Sequence, residues 1–476
     1  MGRQLVPTGV EGLDAVLGGG FPKNSLILLA GNPGTGKTVF SACFLYRGCV
    51  DYGEKGVYVS LAESRDSFYE NMKAFGYDFK RLESKGRFRF LDMLTVKEPA
   101  INTVLNMIVE EAENFKAKRL VLDSYSALAQ AFKDPMDARI VAHTILGKLI
   151  RMMGCTTILI EEVPIGNSKI GFGVEEFVAD GVIKLNSTVL EGHRFRELEL
   201  LKLRGIRLKE HILAFTLDGG FRVFQPFKPN PPKNPKRFQP VPDMPDKYST
   251  GSKSLDEVLD GGLPKSSFLL LEVDEKISTP MYHLLVVPLA ANYALHGRGV
   301  FIVPSIGVDP AMLHGYIRLY GDEDCWMRYA RIIVQKNLQA SEDSANIIHV
   351  EGGDWRNDIG KVLEESRKLT AETRQPSLSI IGVDTLTALY GEKQTLEALN
   401  LNAVNARKAG SAAIAIVKAG IKELAVKLSP IADIYLRLKR EHGCLLLYGV
   451  KPRTGLYAVE PDTSAGYPIP KLTPIV

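Results

Sequence analysis

Residues 31–38 read Gly31-Asn32-Pro33-Gly34-Thr35-Gly36-Lys37-Thr38, and they follow the apolar run Ser25–Ala30. The run predicts a buried strand, and the residues after Thr38 predict a helix. Gly-x4-Gly-Lys-Thr between a strand and a helix is the pattern of a phosphate-binding P-loop. Its glycines let the backbone wrap closely with N–H groups turned inward, which makes an anion nest. The helix that follows adds its positive N-terminal end. In this reading residues 31–38 bind a nucleotide, Lys37 offers a point charge to the β- and γ-phosphates, and the Thr38 hydroxyl ligates Mg²⁺. ATP and Mg²⁺ are therefore the expected cofactors.

A second copy lies 242 residues on. Residues 8–23, TGVEGLDAVLGGGFPK, and 250–265, TGSKSLDEVLDGGLPK, are identical at ten of sixteen positions without a gap. A period of that length is too long for a solenoid and fits repetition of a whole domain. The halves are separated by residues 226–245, which hold eight of the chain's 26 prolines. Proline fixes φ and removes a donor, so this segment reads as an extended, semi-rigid spacer. The expected division is 1–225, a linker 226–247, and 248–476.

Each half alternates strands with helices, which predicts an α/β fold with a mainly parallel sheet covered on both faces. In the first half the expected strands are Ser25–Ala30, Val57–Leu61, Arg119–Leu122 and Thr156–Ile160. Expected helices include Ile101–Phe115 and Met136–Met152. Arg196–Leu203, Ile212–Leu217 and Phe221–Phe224 read as short antiparallel strands.

Composition bounds the function classes. At 45% hydrophobic and 24% charged, the 476-residue chain is ordinary globular material. A net charge of +4 is too small to argue for nucleic acid by itself. No signal peptide pattern and no uncharged apolar run of 18 residues occurs, so no membrane contact is expected and the chain reads as soluble and cytoplasmic. The five cysteines lack metal-type spacing and read as buried free thiols.

Three acidic positions gain meaning beside a P-loop. Asp123 ends an apolar strand, where a carboxylate can hold the water shell of Mg²⁺. Glu63 follows the second strand. It either orients the attacking water or caps the helix that starts near Arg65. Glu161 and Glu162 follow the fourth strand and read as the rim of the nucleotide site.

Several stretches together resemble a family. They are Thr8-Gly9, Gly12-Leu13-Asp14, Leu17 through Pro22, the P-loop, Tyr58-Val59-Ser60-Leu61-Ala62-Glu63-Ser64, Gly173–Val182 and Glu197–Gly205. This constellation is similar to KaiC-domain ATPases of the RecA/RadA superfamily, over residues 4–224 and more weakly over 248–460. The resemblance implies two tandem RecA-like domains and a homo-oligomer, a hexameric ring or a related assembly, with ATP between subunits. It also implies that Lys202 and Arg204, a Lys-x-Arg pair, reach the neighbouring subunit's phosphates as charge stabilisers. The family has two adjacent glutamates after the second strand. Here the first is Ala62, so only Glu63 is left to act as a base.

In the second half the repeat register puts Val273 opposite Gly31, Lys276 opposite Gly34 and Ser278 opposite Gly36. Thr279 stands opposite Lys37 and Pro280 opposite Thr38. Pro280 lacks a donor where the nest needs one. Asp384, after Ile380-Ile381-Gly382-Val383, reads as the counterpart of Asp123. This half is expected not to bind ATP and to act as a structural or interaction domain. For the whole chain the expectation is a KaiC-like ATPase acting as a nucleotide-dependent regulatory oligomer with a protein partner. Two other readings stay open. One is a DNA-binding recombination protein, disfavoured because the stretch Pro164–Phe172 holds one lysine, Lys169. The other is a nucleotide-held scaffold without turnover.

Overall fold

The computed structural model describes residues 4–93, 101–129, 154–166, 179–320, 323–336 and 345–476. The expected helix Met136–Met152, residues 173–178 of one family-like stretch, and Lys169 lie outside the described residues. The chain divides into two units, Met1–Pro226 with Pro474–Val476, and Phe227–Thr473.

The first unit opens with a small antiparallel pair, β1 (Leu5–Val6) and β2 (Phe21–Pro22). Its main sheet has nine strands. In chain order they are β3 (Leu26–Gly31), β4 (Gly56–Ser60), β5 (Phe88–Asp92), β6 (Arg119–Asp123), β7 (Thr156–Glu162), β8 (Gly181–Leu190), β9 (His193–Leu203), β10 (Ile212–Thr216) and β11 (Arg222–Val223). Their spatial order is β11-β10-β9-β8-β3-β7-β6-β4-β5. Strands β3 to β8 are parallel to their neighbours, and β8 to β11 continue as an antiparallel extension. The parallel strands are nearly all apolar because helices cover both faces. Alternate residues feed two separate cores. Ile27 and Leu29 pack with the helix Lys37–Asp51, whereas Leu26, Leu28 and Ala30 pack with the helix Ile101–Phe115.

Arg119 is fully buried in this unit. Its Nε donates to Glu54 at 2.5 Å, Nη1 donates to the Phe44 carbonyl at 2.8 Å, and the guanidinium lies 4.5 Å from the Phe44 ring centre. Gly48 makes room for it, since a Cβ there would sit 2.3 Å from Arg119 Nε.

The second unit has a small pair, β12 (Lys247–Tyr248) with β13 (Leu263–Pro264), and a ten-stranded sheet. The sheet comprises β14 (Phe268–Val273), β15 (Val300–Val303), β16 (Ala330–Gln335), β17 (Ile347–Val350), β18 (Leu378–Gly382), β19 (Ala412–Lys418), β20 (Ile434–Glu441), β21 (Cys444–Lys451), β22 (Tyr457–Asp462) and β23 (Ile469–Pro474). The spatial order is β17-β16-β15-β18-β19-β14-β20-β21-β22-β23. All of these strands but β17 repeat the order β5-β4-β6-β7-β3-β8-β9-β10-β11 of the first sheet. Both units are α/β and RecA-like.

The repeated sixteen-residue stretch has the same structural job in each unit. Thr8 donates from N and Oγ1 to Asp14 Oδ1 at 2.8 and 2.7 Å. Thr250 does the same to Asp256 Oδ1 at 2.7 and 2.6 Å. Gly20 and Gly262 sit where a Cβ would meet the Val6 and Tyr248 carbonyls. The shared residues therefore fasten each unit's entry segment.

The proline-rich segment carries no helix or strand before Lys247, as its composition requires. It is nonetheless pinned along the second unit. Phe238 is buried against Tyr320 and Tyr467, and its N–H donates to the Tyr320 carbonyl at 3.0 Å. Val241 N–H donates to Asn292 Oδ1 at 2.8 Å. An extended spacer was expected, but apolar residues between the prolines anchor this segment to a core.

Candidate functional site

Strand β3 ends at Gly31, the loop turns over 32–36, and the helix begins at Lys37. Gly31 is required by close approach, since a Cβ would lie 2.6 Å from the Leu185 carbonyl and 2.7 Å from Thr35 Oγ1. Gly36 caps the helix at φ 100°, a conformation that costs glycine little. Pro33 and Gly34 are exposed at the tip, and Thr35 is buried with its hydroxyl on the Asn32 carbonyl at 2.8 Å. The Asn32 side chain donates to the carbonyls of Val163 at 2.9 Å and Pro164 at 3.0 Å. That ties the loop to the end of β7.

Lys37 is buried and donates to the carbonyls of Gly31 and Asn32, both at 2.9 Å. Burial pulls its ammonium below the ordinary lysine value, and the charges of Glu162, Asp123 and Glu161 oppose that pull. Thr38 Oγ1 donates to Asp123 Oδ2 at 3.2 Å. Burial pushes the Asp123 carboxyl above its usual range, against hydrogen bonds from Tyr58 and Thr38 and the charge of Lys37. Tyr58 also donates to Asp123 Oδ2. Burial, then the charge of Asp123, holds the Tyr58 hydroxyl protonated, so its proton is available for Asp123.

A hydroxyl and a carboxylate in contact, beside a buried ammonium and an open glycine loop, suit a hydrated divalent cation bridging to a polyphosphate. Among the described residues no group of three His, Cys, Asp or Glu forms a cage. A cation held by Thr38 and Asp123 would therefore keep much of its water, as Mg²⁺ does.

The other expected residues fall in different places. Glu63 follows β4, and its Oε1 accepts from Ser67 Oγ at 2.7 Å and Asn71 Nδ2 at 2.6 Å. It thus clasps the first turns of the helix Arg65–Ala74. Glu162 is exposed and Glu161 buried at the end of β7. Lys202 and Arg204 lie at the far end of the sheet. Leu203 pairs with Gly181 and Gly181 borders Ile27, whereas the P-loop leaves β3 at Gly31. Four residues of strand separate the two levels, about 13 Å. Arg204 is ion-paired with Asp180 at 3.5 Å. Within one chain this pair and the P-loop are not brought together.

Two contributors were not found by sequence reasoning. Tyr58 reads as one more apolar position of a strand. Arg196 donates from Nη1 to the carbonyls of Gly34 at 3.2 Å and Thr35 at 3.5 Å, which braces the loop. It sits on β9, 162 residues from Gly34 in sequence, in an alternation of charged and apolar residues that signals only a strand.

The second unit departs from one expectation. In the first sheet Asp123 follows Leu122, which pairs with Leu159, so Asp123 is level with Ile160. In the second sheet Ile381 pairs with Ala415 and Gly382 with Ile416. Matching β7 to β19 residue by residue puts Gly382 in the place of Asp123. Asp384 therefore is not its counterpart. It lies two residues further on, inside the first turn of the helix Val383–Ala409, and accepts from Ile306 N at 3.1 Å. Both residues follow an apolar run, which is why the linear pattern looked right. Asp384 is also ion-paired at 3.2 Å with Lys418, which stands where the first unit has Glu162.

Residues 6–226 match the family model "ATPase: KaiC". A UPF0273 protein of Methanocaldococcus jannaschii is 35% identical over 230 residues, 45% of this chain and 94% of that protein. The circadian clock oscillator protein KaiC of Thermostichus vulcanus is 33% identical over 277 residues, 56% of this chain and 51% of KaiC. The match thus spans about half the length of KaiC. A KaiC-like protein of Pyrococcus horikoshii, known from its crystal structure, is 33% identical, covers 47% of this chain and all of its own, and superposes with a TM-score of 0.43. With a P-loop in a RecA-like sheet and near-complete coverage of such a relative, the chain belongs to the KaiC-like ATPases of the RecA-like superfamily.

Proposed function

We propose that the first unit binds Mg-ATP at residues 31–38 and hydrolyses it, and that the chain works as a nucleotide-dependent regulatory oligomer. The observation that carries this reading is the constellation of buried Lys37, the open loop before it, and the Thr38–Asp123 contact. Bound Mg²⁺ would offset charge on the phosphates. Lys37 would exchange its backbone carbonyl partners for the β- and γ-phosphate oxygens. Thr38 and Asp123 would hold the cation's shell, with Tyr58 orienting Asp123. Glu63 would release Ser67 or Asn71 to orient water. Lys202 and Arg204 are too far from their own P-loop, so any charge stabilisation by them comes from a neighbouring subunit. Assembly then becomes part of the catalytic site.

Phosphate release with Mg-ATP, compared among wild type, Lys37→Ala and Glu63→Gln, tests this. Turnover lost in both variants supports an active ATPase with Glu63 as its base. A second reading, a nucleotide-held scaffold, is favoured by Ala62 and by the engagement of Glu63 with Ser67 and Asn71. It predicts stoichiometric ATP binding with no phosphate release. Salt-dependent binding of single-stranded DNA at low salt would instead favour the recombination reading.

A further inference from the structure

On the second sheet, the face turned away from the helix Thr279–Leu295 has a divided core. Phe301, Ile333, Ile348 and Val350 form one apolar cluster, and Ile381, Leu399, Ala403 and Ala406 belong to another. Between them lies a cavity of about 250 Å³, walled by β15 to β18 and by the helices Trp355–Thr373 and Val383–Ala409. Protein interiors are close-packed, and voids beyond the size of a few waters are uncommon.

Two sequence features open this space. The second helix breaks at Gly391 (φ 77°, ψ 166°), and both arms line the cavity, Leu386 and Tyr390 before the break and Leu399 and Asn402 after it. On β18, Ser379 faces the space between Leu378 and Ile380, which face the other core. Matching the sheets strand by strand puts Ser379 where the first unit has Leu120, which fills a continuous cluster there. A small polar residue on a central strand covered on both faces leaves volume unclaimed.

The wall chemistry limits what fits. Among the described residues no lysine or arginine lines the cavity. The one carboxylate, buried Asp358, is already committed. Its Oδ1 accepts from Glu351 N at 2.9 Å, and Oδ2 accepts from Gly352 N at 2.8 Å and the Tyr390 hydroxyl at 2.9 Å. An anion would find no counter-charge and a cation no free one.

We propose that this cavity is a binding site for an uncharged, mainly apolar small molecule of roughly ten heavy atoms. The site is separate from the nucleotide-binding edge and gives the second unit a ligand of its own. A bicyclic ring with one N–H has the right size and polarity.

Indole is the probe, titrated into the full chain by calorimetry, with indole-3-carboxylate as its anionic counterpart. Saturable binding is expected at one indole per chain. The carboxylate should bind about tenfold more weakly or worse, because no cation lines the wall. Ser379→Leu should fill the space and weaken indole by about tenfold or more while ATP binding by the first unit persists. Should that variant fail to fold cooperatively, Ala406→Met narrows the cavity from the helix side with the same expected loss. No saturable binding of indole, phenol or cyclohexanol at millimolar concentration would overturn the proposal. So would indole binding that both filling variants leave unchanged.

Discussion

The two units share a strand order and the Thr–Asp clasp at their entry, yet they treat the nucleotide edge in opposite ways. In the first, Gly31, Gly34 and Gly36 keep the loop open, and Lys37 and Thr38 stand beside a carboxylate on β6. In the second, Val273, Lys276, Ser278, Thr279 and Pro280 occupy those places, and Gly382 replaces Asp123. Lys418 sits where Glu162 sits and is spent on Asp384 and on the Ile306 carbonyl at 2.9 Å. The difference teaches that the sheet is held by packing and by entry-segment hydrogen bonds, neither of which needs the phosphate site. Losing the phosphate chemistry left the scaffold standing.

The comparison is broken most severely at Arg119. Its guanidinium is buried beside Glu54, whereas strand register puts Leu378 in its place in the second unit. Glu54→Ala should destabilise the first unit by about 4 kcal/mol, because it leaves a buried charge uncompensated. Both tryptophans, Trp326 and Trp355, lie in the second unit. Denaturant melts followed by circular dichroism should therefore shift while those followed by tryptophan fluorescence do not. Coincident shifts would mean that the units do not unfold independently.

Acid should act in the reverse direction. Burial, aided by Lys418, pushes His283 down to about 4 from an ordinary 6.5. Its counterpart in the repeat is Ser41, which does not titrate. A folded value below the unfolded one means the unfolded chain takes up the proton first. The second unit should thus lose about 3 kcal/mol as pH falls from above 6.5 to about 4. His283→Phe should flatten this limb of the fluorescence-detected stability profile. A limb unchanged in the variant would show that other groups carry it.

Lys37→Ala should weaken ATP by about a hundredfold, the loss of a charge-assisted contact to phosphate. Thr279→Lys in the second unit should restore nothing, since Pro280 and the missing glycines deny the nest. Calorimetry that finds a second ATP site in Thr279→Lys would show that the degenerate loop needs only the cation. The smallest effect is expected at Tyr58, whose strand-register counterpart is Ile302. Tyr58→Phe should cost about 1 kcal/mol, seen as a fewfold rise in the Mg²⁺ concentration needed for tight ATP binding. An unchanged Mg²⁺ requirement would reduce Tyr58 to a packing residue.

Much of this contrast is legible in the linear chain. The loop motif is contiguous, so residues 31–38 and their eroded copy at 273–280 can be read by inspection. The alternation of apolar runs with helical stretches led to two α/β halves. The strands Leu26–Gly31 and Arg119–Asp123 begin or end within a residue of where the apolar runs place them. Reading failed where a site depends on pairing between distant strands. Asp384 looked like Asp123 because both follow an apolar strand, and only the ladder with β19 shows the offset of two. Phe238 looked like part of a free spacer because its partners, Tyr320 and Tyr467, are far away in sequence.

The sequence by itself determined the fold class, the P-loop pattern of residues 31–38 and the loss of that pattern in the second half, because each rests on local geometry written in consecutive residues. Tertiary structure alone decided that Tyr58 reaches Asp123, that Arg196 braces the loop and that Lys202 and Arg204 stand at the opposite end of their own sheet. It also decided that Ser379 and Gly391 open a cavity together. These are contacts and distances between segments 65 or more residues apart, or a volume shared by several elements. No local pattern encodes them, since strand order and register place such residues only once the sheet has formed.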